Sequence, residues 1–175
     1  MKRPSRHPIS IEIDKLTNSI EHLGSGKVFR TLILPFTANE KNYRKREWVF
    51  DWKRELNIPE REVYKLALED STIHGLISLT DNVDHVFINL VEVAKFNRGK
   101  SKTYSGVAGN LFAFACKLAF AKGYDGVVVF DGKSKLIAHY KDSLGAQLMH
   151  GTRMFIDTNE ARQLTLKYFR EGDRW

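Results

Sequence analysis

Apolar residues in this chain fall into runs whose periods predict a definite order of elements. HVFINLVEV (85–93) is an almost unbroken β-branched and aromatic run, the pattern of a strand covered on both faces. LFAFACKLAFAK (111–122) is apolar on nearly all sides, which suits a helix buried between layers, beginning near residue 109 and stopped by Gly123. YDGVVVFD (124–131) then reads as a second buried strand, so residues 85–131 predict strand, loop, crossover helix and strand, with the right-handed crossover such units take. Upstream, REVYKLALE (61–69) and TIHGLISLT (72–80) alternate across the tight Asp70-Ser71 connection and predict a hairpin. Asp81 to Asp84 turns that hairpin into the central strand, giving three antiparallel strands in succession.

The flanks are less regular. Residues 9–23 begin with strand-like alternation and end with helical spacing at Leu16, Ile20 and Leu23. After the Gly24-Ser25-Gly26 turn, KVFRTLILPFT (27–37) predicts one strand, the polar stretch 38–47 suits a helix, and WVFDWKREL (48–56) fits either strand or helix. Past residue 131, Ser134 is placed to cap a helix with apolar face Leu136, Tyr140 and Leu144, ended by Gly145. AQLMH and TRMFID (146–157) predict short strands, and Thr158 or Asn159 would cap an amphipathic terminal helix.

A length of 175 residues predicts one domain over 9–175, behind a disordered basic arm (1–8) broken by Pro4 and Pro8. One cysteine gives no disulfide framework, and Cys116, inside the apolar helix, reads as a core residue. No apolar leader or membrane-length window is present, so a cytoplasmic enzyme is the default expectation. The net charge of +7 favours an acidic ligand or partner, without a helix-turn-helix or RNA-binding signature. No cluster has metal-ligand spacing, so no metal is expected.

The candidate chemistry lies between strand and helix. AKFNRGKSKTYSGVAGN (94–110) carries three glycines, one arginine and three lysines. Gly106, Val107, Ala108, Gly109 and Asn110 would present backbone N–H groups at the positive end of a long helix, where an anion is favoured. Arg98, Lys100 and Lys102 would add point charges around it. A P-loop does not fit, because Ala94 stands where its first glycine belongs and the helix begins well after Lys100; a dinucleotide G-x-G-x-x-G is absent.

Two stretches resemble the GNAT superfamily of acyl-CoA N-acyltransferases. The family's coenzyme-A loop, V-x-P-x-Y-R-G-K-G-x-G/A, is matched by Val93-Ala94-Lys95-Phe96-Asn97-Arg98-Gly99-Lys100, with Gly106-Val107-Ala108 supplying G-x-A. Lys95 replaces the usual proline, and Ser101–Ser105 look like an insertion. LIAHYKDSLGA (136–146) is similar to the family's A-x-x-F/L-Y-x-x-x-G-F helix, one residue longer, with Tyr140 as the aromatic hydroxyl. The resemblance implies an α/β (α+β) fold with a mixed, mostly antiparallel central sheet, helices on both faces and a coenzyme-A cleft where the central strands splay. It implies acetyl-CoA as cosubstrate, held by Val93, Arg98, Gly99, Lys100, Lys102 and Gly106 to Asn110. It also implies transfer of an acetyl group to a primary amine, with Tyr140 as the acid for the leaving thiolate.

For the base, strand parity puts Glu92 on the face of Val86, Ile88 and Leu90, beside the implied thioester; a surface or ion-paired role is the competing reading. Trp48, Phe50, Asp51 and Trp52 stand for the acceptor side or for simple core packing, while His74, His85 and His139 read as cleft-lining or structural. The acceptor amine is a small molecule, a protein amine or the amino group of a charged tRNA. A homodimer is compatible with the resemblance, and a membrane partner is not expected. The alternative is a coenzyme-A or nucleic-acid binding module of the same fold without catalysis.

Overall fold

A computed structural model of the protein describes residues 19–169. The expectations for the basic arm and for residues 9–18 lie outside these residues. Seven strands form the main sheet: β3 (Leu32–Pro35), β4 (Arg61–Ala67), β5 (Ile73–Asp81), β6 (Val86–Val93), β8 (Val128–Asp131), β10 (Arg153–Ile156) and β9 (Gln147–His150), in that spatial order. All neighbours are antiparallel except β6 and β8, which the helical crossover makes parallel. A second sheet has the order β2-β1-β7, from β1 (Ser19–His22), β2 (Val28–Arg30) and β7 (Tyr104–Ser105).

The long helix α2 (Val107–Ala121) lies on one face of the main sheet with α3 (Ile137–Leu144) and α4 (Thr158–Tyr168). Its core partners there include Ile77, Leu79, Val86, Ile88 and Phe130. Gly75 allows this approach, since a Cβ at that position would meet Val107 Cγ1 at 2.7 Å and Leu111 Cδ1 at 2.8 Å. On the opposite face, the five-residue helix α1 (Trp52–Leu56) packs Trp52, together with Trp48 from the segment before it, over Phe36, Val63, Ile73 and Leu76. Cys116 is a buried core thiol, as expected, and burial drives its pKa up.

Several elements differ from the sequence reading. The 27–37 run divides at the buried Thr31, so that β2 and β3 serve different sheets. Residues 38–47 contain only a 3-10 turn at Lys45–Glu47, and 48–56 resolves into an extended piece followed by α1. The segment ending at His22 is strand, not helix, because Ile20 pairs with Phe29. Strand β8 starts only at Val128; Tyr124 closes a turn with Val127 and bonds Asp81 Oδ1 instead. Asp157, not Thr158 or Asn159, caps α4 by accepting from the Glu160 N–H, and Ser134 opens a 3-10 turn that leads into α3.

Candidate functional site

Strand β6 has two bonded neighbours for only part of its length. Val86, Phe87 and Ile88 pair with Val128, Val129 and Phe130, and beyond Ile88 the strand runs on to Val93 with no partner on that side among the described residues. This parting opens the sheet toward the N-terminus of α2, and its fork is lined by aromatics. Tyr140 packs edge-on against Phe130, with ring centroids 5.2 Å apart, and tilted against Phe112 at 6.1 Å. Its side chain is buried, burial alone raises its pKa, and its hydroxyl has no hydrogen-bond partner among the described residues. The phenol therefore stays neutral and holds an unspent proton at the point where the strands separate.

A β-bulge reorients the second half of β6. Against β5, Leu79 pairs with Ile88 and Ser78 with Leu90, leaving Asn89 as the extra residue. The bulge reverses the parity of the residues beyond it, so Leu90 and Glu92 face α1, while Val91 and Val93 face α2. The expectation that Leu90 and Glu92 share a face with Val86 and Ile88 is thus corrected. Asn89 turns its amide onto the Thr80 and Ser78 hydroxyls at 2.9 and 3.3 Å, which holds the distortion in place.

Glu92 is 4% exposed and surrounded by donors. Oε1 accepts from the Val49 N–H and from Arg98 Nη2, each at 2.5 Å; Oε2 accepts from Trp52 Nε1 at 2.7 Å and the Phe50 N–H at 3.3 Å. Arg98 also donates from Nε to the Val93 carbonyl at 2.8 Å. The guanidinium expected at a phosphate is therefore engaged with a carboxylate and with the end of β6. Parity reasoning could not find these donors, which lie 40 or more residues upstream in a stretch of unsettled secondary structure.

The loop after β6 is folded rather than open. A 3-10 turn at Lys95–Asn97 begins it, and Gly99 adopts φ 71° in the next turn. Residues 101–103 lead into β7, which pairs with β1. Lys100 is exposed and Lys102 half-buried. Gly106 is left-handed at φ 93° and serves as N-cap of α2, a conformation that explains the glycine. Gly106 to Asn110 are all buried, and Asn110 Nδ2 donates to the Ser19 and Gly106 carbonyls at 2.9 and 2.7 Å while its Oδ1 is buried without a partner among the described residues. Strand β1 thus begins beside the helix terminus. Gly109 has a packing reason, because a Cβ there would fall on the Tyr168 hydroxyl.

His74 and Asn97 support the loop from below. His74 is the extra residue of a second bulge, between β4 and β5, and its carbonyl accepts from the Ala94 N–H at 2.9 Å. Asn97 Nδ2 donates to His74 Nδ1 at 3.0 Å, and Asn97 Oδ1 accepts from the Tyr104 N–H at 3.2 Å. Burial lowers the His74 pKa to about 4, partly opposed by Asp70, so the ring is neutral at pH 7. His85 is instead at the far end of β6, bonded to Asp84, and His139 lies beside Tyr140 on α3 with Nδ1 3.4 Å from Ser143 Oγ.

No family model matches this chain, and no curated protein matches it by sequence. Solved structures do match in shape. A structure of AtaTR bound with AcCoA superposes with a TM-score of 0.54 at 14% identity, covering 77% of this chain and 97% of its own. A GNAT family acetyltransferase from Elizabethkingia anophelis with acetyl-CoA bound gives 0.51 at 16%, covering 69% and 78%. A chimera of the spermidine N-acetyltransferase SpeG from Vibrio cholerae gives 0.52 at 11%, covering 75% and 98%. With its mixed sheet parting between β6 and β8, the chain has the fold of the GNAT acetyltransferases.

Proposed function

We propose that the protein is an acetyl-CoA-dependent N-acetyltransferase, and the observation that carries this reading is the neutral, unpartnered Tyr140 hydroxyl at the fork between β6 and β8. Acyl transfer from a thioester expels a thiolate, and a nearby phenol that is still protonated is the group to receive it. Lys100, Lys102 and the N-terminus of α2 at Gly106 to Asn110 supply positive potential for the phosphates, and the Val93 end of β6 supplies the edge along which the donor lies. Glu92 already accepts four hydrogen bonds, so the proton released by the attacking amine is assigned to water, and most of the acceleration to proximity within the cleft.

The acceptor is a primary amine carried by an anionic molecule. A net charge of +7 repels free polyamines and attracts polyanions, and Lys41, Arg44, Lys45 and Arg46 are exposed on the segment before Trp48. The test is release of free coenzyme-A thiol with a polyamine, a peptide amine and an aminoacylated RNA as acceptors. Acetyl-dependent thiol release with the RNA-borne amine, stronger at low salt, is expected; turnover with the polyamine alone would overturn the acceptor assignment. Affinity for RNA without turnover or response to acetyl-CoA would favour the binding-module reading.

A further inference from the structure

Glu92 ties the end of β6 to two other segments, one at least 40 residues upstream and one reached by Arg98, 6 residues downstream. Its carboxylate binds the Val49 and Phe50 N–H groups and the Trp52 indole on the α1 side, and Arg98 on the loop side. The carboxylate side chain is 5% exposed and the guanidinium 27%, so one end of the pair is sealed and the other reaches toward solvent. A buried carboxylate stays ionised in such a place only while a cation and several donors compensate it. Arg98 is that cation among the described residues; the other three donors are neutral.

We propose that Glu92 is a positioning residue that couples the Val49–Trp52 segment, which we take as the acceptor-side wall, to the Arg98 arm of the coenzyme loop, making the two depend on one another. Any pull on Arg98 toward an anion bound at the loop weakens the compensation of the carboxylate. The three neutral donors must then tighten or shift, and all three belong to the wall that carries Trp48 and Trp52. Linkage makes the effect reciprocal, so a ligand ordering the wall alters the affinity of the loop by the same factor. The functional consequence rests on the reading of the loop as the coenzyme site; the contacts themselves do not.

The Trp52 indole proton reports the junction directly, because it is bonded to Glu92 and not to Arg98. In a ¹H–¹⁵N spectrum of the full chain, with the signal identified by Trp52→Phe, Arg98→Lys should move this resonance although the substituted side chain would not touch the indole. Coenzyme A should move it in the parent and much less in Arg98→Lys. An indole signal that ignores Arg98→Lys, or that ignores coenzyme while loop amides respond, overturns the coupling. If no amide responds to coenzyme, the site reading fails and the coupling with it, whereas an Arg98→Lys shift still establishes the junction.

Kinetics separate positioning from base catalysis. Glu92→Gln and Arg98→Lys should each raise the acceptor KM by about tenfold, change kcat by less than about threefold, and combine without additivity. The shape of the pH profile of kcat should be unchanged in Glu92→Gln. A drop in kcat with loss of the acidic limb would make Glu92 the base and overturn the positioning role. If Glu92→Gln does not fold, Arg98→Lys and the indole signal carry the test.

Discussion

The two halves of β6 are built on different physics. From Val86 to Ile88 the strand is bonded on both sides and its side chains enter an apolar core under α2. After the bulge at Asn89 it keeps β5 but has no partner on the β8 side among the described residues, and it carries a buried carboxylate. The first half is stabilised by area removed from water, which tolerates conservative change. The second half depends on matched polar partners, and these fail abruptly when one is removed. The difference teaches where a cleft can form: a bulge and a missing neighbour open the sheet, and a polar junction holds the opened edge.

The sharpest break is Glu92→Ala, which strands three N–H donors and the Arg98 cation. It should cost roughly 3–5 kcal/mol of stability by denaturant unfolding, the range for splitting a buried ion pair. An apolar change in the first half, Ile88→Val, should cost about 0.5–1.5 kcal/mol. Equal losses at the two positions would erase the contrast.

Acid probes the same contrast through His74, whose folded pKa near 4 lies below its ordinary value of 6.5. As pH falls, the unfolded chain takes up this proton first, so the contribution is fully present above about pH 6.5 and is lost between about pH 6.5 and 4. The loss amounts to about 3 kcal/mol at most. His74→Gln should flatten that part of the stability curve, and an unchanged slope in the variant would remove His74 from the account.

Tyr140→Phe deletes only a hydroxyl that has no hydrogen-bond partner among the described residues, so packing and coenzyme affinity should persist while kcat falls by roughly 10²-fold. Parental kcat would return the residue to the aromatic core with Phe112 and Phe130. The smallest effect is expected at the exposed Lys100, where alanine should weaken coenzyme affinity by less than about 1 kcal/mol because solvent screens the charge. A larger loss there would make Lys100 the principal phosphate ligand.

Sequence patterning made the hairpin β4–β5, the central strand, the apolar crossover helix and the return strand legible, because burial leaves long apolar runs with clear periods. It could not show the bulge at Asn89, since one unpaired residue leaves no mark in a run that is apolar almost throughout, and parity then put Glu92 on the wrong face. The division at Thr31 was hidden for a similar reason: KVFRTLILPF is uniformly strand-like, and pairing partners far away in sequence decide which sheet each half joins. Near the candidate site, the helix that carries Tyr140 was legible from its apolar face and its closing Gly145. The engagement of Arg98 by Glu92 was not, because it depends on donors in the Val49–Trp52 segment that only the fold brings to the end of β6.

The central claim is that the fork between β6 and β8 receives acetyl-CoA. Calorimetric titration of the full-length protein with acetyl-CoA, with ADP and ATP as controls, tests it most directly. One acetyl-CoA per chain is expected, bound more tightly than either nucleotide, because the nucleotides lack the pantetheine arm and thioester that the unpaired edge of β6 is read to accept. Equal affinity for all three would leave only a phosphate site at the α2 terminus, and no heat with acetyl-CoA from a folded protein would contradict the claim.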